Sequence, residues 1–214
     1  MTTNWMKRLT AGAALLAAAG AAGCGEYVRG TGRAPAQVVI TQLLAASGAD
    51  PDELGGTLRS DVITLVRSPE PCTAEAPCAS IFNDVGEVTM RLIMKDPGVP
   101  GAASSPSDIN QITFTRYRVS YRRTDGRNTP GVDVPFDFDS AATFTVPPDA
   151  EVSAGFQIVR HSAKEEAPLR ALASSPSIIS TIADVTFYGR DQAGNDVTAT
   201  GRIGIDFGNF ADPE

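Results

Sequence analysis

The sequence predicts an all-β, antiparallel sandwich or barrel of about nine strands with one short helix. Three observations carry this expectation. Short runs rich in Val, Ile, Thr, Phe and Tyr alternate apolar and polar residues, which is the period of a half-buried strand. Turn residues punctuate them, with 20 Gly and 15 Pro among 214 residues. Helical patterns do not alternate regularly with the strands, which disfavours a parallel βαβ sheet. Apolar residues make up 42% of the chain, enough for a packed core.

Gln37 to Ala46 is the first apolar, β-branched run, and Ser47 to Gly56 (SGADPDELGG) is a loop by its turn chemistry. Thr57 to Arg67 is the second run. Gly86 to Lys95 alternates well, with Val88, Met90, Leu92 and Met94 on one face and charged or hydroxyl residues on the other. Pro97 to Pro106 is a Gly/Pro/Ser loop. Asn110 to Arg123 is a long strand whose phase slips: Ile112 and Phe114 share one parity, Tyr117, Val119 and Tyr121 the other. A bulge near Thr115–Arg116 accounts for the slip. Val132 to Phe138 and Ala142 to Val146 alternate again, with Phe136, Phe138, Phe144 and Val146 expected in the core. Val152 to Arg160 turns Val152, Ala154, Phe156 and Ile158 inward. Lys164 to Ala173 is the helix-like stretch, limited by Pro168. Ile182 to Gly189 and Val197 to Phe207 complete the set.

The N-terminal segment has a different character. Lys7 and Arg8 precede the apolar run Leu9 to Ala22, which is too short to span a bilayer and ends in small residues. This is the anatomy of a secretory leader. The cleavage region Ala21-Ala22-Gly23-Cys24 resembles the lipobox of bacterial lipoproteins, departing from it at Ala21, where that family usually has Leu. The resemblance implies a signal peptide over 1–23 and a Cys24 that becomes the acylated mature N-terminus, carrying diacylglyceryl and a further chain such as palmitate. Two or three chains, at about 0.8 kcal/mol per buried methylene, anchor durably. Gly25 in place of the retention signal Asp points to the outer membrane. Residues 24–36 then form a flexible tether, and 37–210 a single β-domain.

The remaining cysteines, Cys72 and Cys78, are separated by five residues of a polar, Pro-bounded segment. Outside the cytoplasm such a pair forms a structural disulfide. The spacing does not suit a redox motif, which needs two intervening residues, and a metal would lack partners. The single His excludes any site that needs two imidazoles. Net charge is −7, and −9 without Lys7 and Arg8, which argues against nucleic acid as a partner. No apolar run reaches the length of a spanning helix, so the chain is not a polytopic helical membrane protein.

The most specific stretch is ADVTFYGRDQAGNDVTATGRIGIDF, Ala183 to Phe207. It resembles the last two strands of bacterial immunoglobulin-like domains, joined at a D-x-A-G-N turn supplied here by Asp191, Ala193, Gly194 and Asn195. The resemblance implies an immunoglobulin-like sandwich with an envelope role and no activity. The chain lacks the long-spaced Cys pair and core Trp of antibody domains, its sole Trp being Trp5 in the leader.

The functional expectation is therefore a lipid-anchored, non-enzymatic module held at the membrane, displaying loops to an envelope protein partner and needing no cofactor. Candidate contact loops contain Asp50, Asp52 and Glu53, or Asp191, Asn195 and Asp196, or run from Pro97 to Ser107. The acidic loops offer oxygen ligands but lack calcium-loop spacing, so they read as turn carboxylates rather than a metal site. Arg116, Arg118, Arg122, Arg123 and Arg127 form either a cationic patch or a solvated face paired with local acids such as Asp125, Asp133, Asp137 and Asp139. His161 is a surface or pairing histidine, since no G-x-S-x-G elbow accompanies it. Two alternatives remain: a carrier of a small apolar ligand in a barrel-like cavity, or a hydrolase built around His161.

Overall fold

The computed structural model describes residues 33–210. The leader and lipidation site expected over 1–24 lie outside them, as does most of the tether. The described residues form twelve strands: β1 (Ala36–Ala46), β2 (Thr57–Asp61), β3 (Thr64–Val66), β4 (Cys78–Ser80), β5 (Asp84–Met94), β6 (Gly98–Val99), β7 (Ala102–Ala103), β8 (Ile112–Arg122), β9 (Phe138–Val146), β10 (Val152–Val159), β11 (Ile179–Asp191) and β12 (Asp196–Gly208). The protein is mostly β. A three-stranded sheet has the order β1-β5-β10, and a five-stranded sheet β2-β12-β11-β8-β9. Two small hairpins, β3-β4 and β6-β7, are appended.

The extra strands correct the expected nine. The run Thr57–Arg67 splits because β2 pairs with β12 only as far as Asp61 opposite Gly208, where β12 ends. The chain then leaves the sheet and Thr64–Val66 pairs with Cys78–Ser80. That β2–β12 pairing is parallel, so the sheets are not antiparallel throughout. The Pro97–Pro106 loop contains the β6-β7 hairpin, which Gly98 (φ +80) and Gly101 (φ +86) allow by taking a conformation costly for other residues. Val132–Asp137 is not strand. The N–H groups of Val132, Asp133 and Val134 all converge on the Thr129 carbonyl in a tight turn. Val134 takes the buried place, and Phe136, expected in the core, is 53% exposed. The expected helix is two pieces, a turn at His161–Lys164 and a 3-10 helix at Leu169–Ser174, with Pro168 between them.

The phase slip in β8 falls where the sequence places it. The β8–β9 register shifts between Phe114 and Arg116, and the β8–β11 register between Tyr188 and Gly189. Gly189 fits this site because a Cβ there would lie 2.5 Å from the Thr113 carbonyl oxygen. The slip lets Phe114 and then Tyr117, Val119 and Tyr121 all face the core. Between the two sheets Tyr117 meets Phe156 edge-on, and Phe156 meets Phe187 likewise. Tyr117 Oη donates to the Gln157 carbonyl (3.0 Å) and accepts from its N–H (3.1 Å); Tyr121 Oη donates to the Ile158 carbonyl (2.7 Å). These phenols satisfy backbone groups of β10, the edge of the smaller sheet.

Cys72 and Cys78 form a disulfide with Cα atoms 5.3 Å apart, closing the β3-β4 connection. By the loop-closure estimate it contributes about 2 kcal/mol. Replacing both cysteines by Ser is expected to lower the unfolding free energy by about that amount in urea titration, with the far-ultraviolet spectrum unchanged.

Candidate functional site

The strand registers distribute the expected contact loops between two ends of the domain. At one end, the Lys95 N–H donates to the Pro35 carbonyl (3.0 Å), so the chain enters the fold beside the loop that begins at Asp96. Ile112 pairs with both Asp191 and Val146, bringing the β11–β12 turn and the β9–β10 connection to this same end. The Ser47–Gly56 loop is at the other end, after Ala46 and before β2. Thirteen residues of strand separate the ends by roughly 40 Å.

At the entry end, Asp191 is buried and accounts for the turn. Its Oδ1 accepts from the N–H groups of Ala193 (3.0 Å) and Asn195 (2.8 Å), and its Oδ2 from Asn195 Nδ2 (2.8 Å). Asp196 pairs with Arg190 at 2.8 Å on the surface. Next to the turn is an open groove of about 790 Å³ on the outer face of the larger sheet, lined by Thr113, Arg116, Tyr188, Arg190 and Asp196 among others. The Arg116 guanidinium lies 4.2 Å above the Tyr188 ring. The groove thus mixes polar and apolar surface, and its one aromatic lining residue, Tyr188, is already covered by a cation.

At the opposite end, the N–H of Asp50 bonds the Ser47 carbonyl, that of Glu53 the Asp50 carbonyl, and that of Leu54 the Asp52 carbonyl. Asp50 and Glu53 line a shallow recess of about 300 Å³ with Arg59, whose guanidinium lies 4.5 Å over the Phe210 ring. Among the described residues, no three His, Cys, Asp or Glu side chains gather in a metal-holding arrangement.

The arginines are a paired face. Arg116 and Arg118 both contact Asp139 (3.0 and 2.8 Å), Arg118 also contacts Asp137 (3.0 Å), and Asp184 bridges Arg122 and Arg202 (2.6 and 2.8 Å). Asp125 takes Arg123 and Arg127, and these hydrogen bonds hold its carboxyl well below the usual range. His161 opens the helical turn after β10 and is held there by Asn83. Its backbone N–H donates to Asn83 Oδ1 (2.7 Å), and its Nδ1 lies 3.0 Å from the same oxygen.

One cluster escaped the sequence. Asp84 and Lys164 form a buried ion pair, Nζ to Oδ1 2.7 Å, with both side chains about fully enclosed. Ser60 Oγ donates to Asp84 Oδ2 (2.5 Å) and the Gly48 N–H to Oδ1 (3.0 Å). Burial pushes the Asp84 carboxyl above its ordinary range, against the opposing pull of Lys164, Ser60 and Gly48. Burial likewise raises Tyr121, which stays a hydroxyl donor. A Ser, a Lys and an Asp in contact resemble a catalytic set, yet Ser60 and Asp84 have no exposed surface. The cluster is a fastening. No sequence signal marked it, since 80 residues separate Asp84 from Lys164.

Compared with known protein families, characterised proteins and solved structures, the chain gives no match.

Two stability measurements test the assignments. Lys164→Met is expected to cost about 3–5 kcal/mol in urea unfolding, because it strands a buried carboxylate, and Lys164→Met combined with Asp84→Leu is expected to cost less than the two single changes summed. Asp191→Ala should cost about 1–3 kcal/mol through its freed N–H groups, and Asp196→Ala less than about 1 kcal/mol.

Proposed function

We propose that this protein is a lipid-anchored, non-enzymatic, immunoglobulin-like module of the bacterial envelope, and that it works by presenting one end of the domain to another envelope protein.

 The observation that carries this reading is the position of the chain's entry point. Pro35 meets Lys95 at one end, so an anchor at Cys24 holds that end toward the bilayer and leaves the other facing away. The outward end carries exposed apolar side chains on several connections, Leu54, Val132, Phe136 and Ile178. Such residues on loop tips are suited to burial against a partner.

The strand order supports the immunoglobulin-like reading. The order β1-β5-β10 against β12-β11-β8-β9 corresponds to A-B-E against G-F-C-C′, with β2 added beside β12. The space between the sheets is occupied by Phe114, Tyr117, Phe156 and Phe187, which favours display over carriage of an apolar ligand. The leader, the lipobox-like Cys24 and the acidic charge support an envelope location.

Cys24→Ser is expected to move the protein from membrane to soluble fractions, and intact-mass analysis should find acyl chains on the mature N-terminus of the parent. Unchanged membrane retention would refute the anchor. Phe136→Glu with Val132→Glu should abolish capture of the envelope partner from native membranes while leaving the melting temperature within a few degrees; capture equal to the parent's would refute display by this end.

A further inference from the structure

The entry end has its own apolar projection. We propose that the β6-β7 hairpin and Ile109 form a foot that rests in the surface of a zwitterionic phospholipid bilayer. This rests on the anchored reading above, and names what the membrane-facing end touches.

The hairpin follows the entry point directly: Lys95 bonds Pro35, and Gly98 begins β6 three residues later. It is fixed rather than loose, since Asp96 Oδ1 accepts from the Gly98 N–H (2.9 Å) and the Ser104 N–H donates to the Pro97 carbonyl (3.0 Å). Its tip is Val99-Pro100-Gly101-Ala102, and Val99 is 65% exposed; Ile109, on the same connection, is 67% exposed. Pro97 to Ser107 contains no charged residue in a strongly acidic chain. Apolar, uncharged tips of this kind gain by entering the interfacial zone of a bilayer.

The tether supplies the orientation. Given the tether expected from the sequence, the twelve residues Cys24 to Pro35 span about 20 Å, against roughly 40 Å of strand between the ends. The end beside Pro35 therefore faces the lipid. Asp96 and Asp108 flank the foot in the chain, and Asp149 and Glu151 lie on the β9–β10 connection at the same end, so an anionic surface repels this end more than a zwitterionic one does.

The chain's sole tryptophan is in the leader, so a single introduced Trp reports on its own surroundings. Val99→Trp and Ile109→Trp mark the foot, and Val132→Trp marks the opposite end. Each full-length protein, matured in its host, is reconstituted into phosphatidylcholine vesicles with brominated acyl chains. Both foot probes should shift to the blue and lose at least half their emission to bromine, and Val132→Trp should do neither. Adding anionic lipid should reduce the quenching. Foot probes that are unquenched, or quenched no more than Val132→Trp, would overturn the proposal. A blue shift without quenching would mean burial against a second copy or another protein, and would overturn it too. Intact mass reports the anchor separately. Should Cys24 carry no acyl chain, the same vesicles are added to the free protein: quenching of the foot probes then supports lipid contact without the anchor, and its absence refutes it.

Discussion

The Asp84–Lys164 pair ties together β5 and β2, which no strand pairing joins, along with the connections that follow β1 and β10. Asp84 opens β5 in the smaller sheet, Ser60 belongs to β2 in the larger one, Gly48 to the loop after β1, and Lys164 to the helical turn after β10. One carboxylate therefore fixes both sheets and two connections at a single point. Enclosing two charges carries a desolvation cost of several kcal/mol per ion, which their attraction offsets only with good geometry and further hydrogen bonds. Here Ser60 and Gly48 provide those bonds. An apolar substitute of the same volume would fill the space with no directional demand. We infer that the pair's contribution is to select one arrangement of sheets and crossover over near alternatives.

A second set of contacts works at the same interface with neutral groups. Tyr117 and Tyr121 lie on the larger sheet and bond the backbone of β10 in the smaller one. Their rings bury apolar area while their hydroxyls satisfy an edge that would otherwise be open to another strand. Both tyrosines reach the interface only because β8 slips its register near Thr115. An unbroken alternation starting from Ile112 and Phe114 would turn Tyr117, Val119 and Tyr121 outward. The bulge thus couples the sequence phase to the fastening of the two sheets.

Much of this was legible in the sequence, for identifiable reasons. The phase change in β8 is visible as a switch of parity, and the β11–β12 turn as Asp191 followed by Gly194 and Asn195, because both are local patterns. The disulfide is legible from the spacing of Cys72 and Cys78 in a polar, Pro-bounded segment, together with the compartment expected from the leader. Pattern and fold part where turn chemistry overrides alternation or where distant partners decide local structure. Val132–Phe138 alternates like a strand, but Gly131 (φ +75) and the Thr129 carbonyl capture it in a turn. Thr57–Arg67 is continuous in pattern, yet the end of β12 determines where it divides. Asp84 and Lys164 each look ordinary in their own segments, and only the folded topology makes them neighbours.

The distribution of charge explains why the domain's ends rather than its broad face are available for contact. On the outer face of the larger sheet, Asp139, Asp137 and Asp184 take up Arg116, Arg118, Arg122 and Arg202 in cross-strand pairs. Exposed pairs of this type contribute little stability. Their effect is on recognition, since a docking partner would have to displace or desolvate groups that already satisfy one another. Thr113 with Thr145 and Thr186 with Thr200 extend the same self-satisfied surface. The connections differ, because they expose Val99, Ile109, Val132, Phe136 and Ile178 to solvent. Burying those side chains releases water without breaking an ion pair. A domain with a polar, internally paired face and apolar tips at both ends offers its apolar surface along its long axis rather than across its sheets.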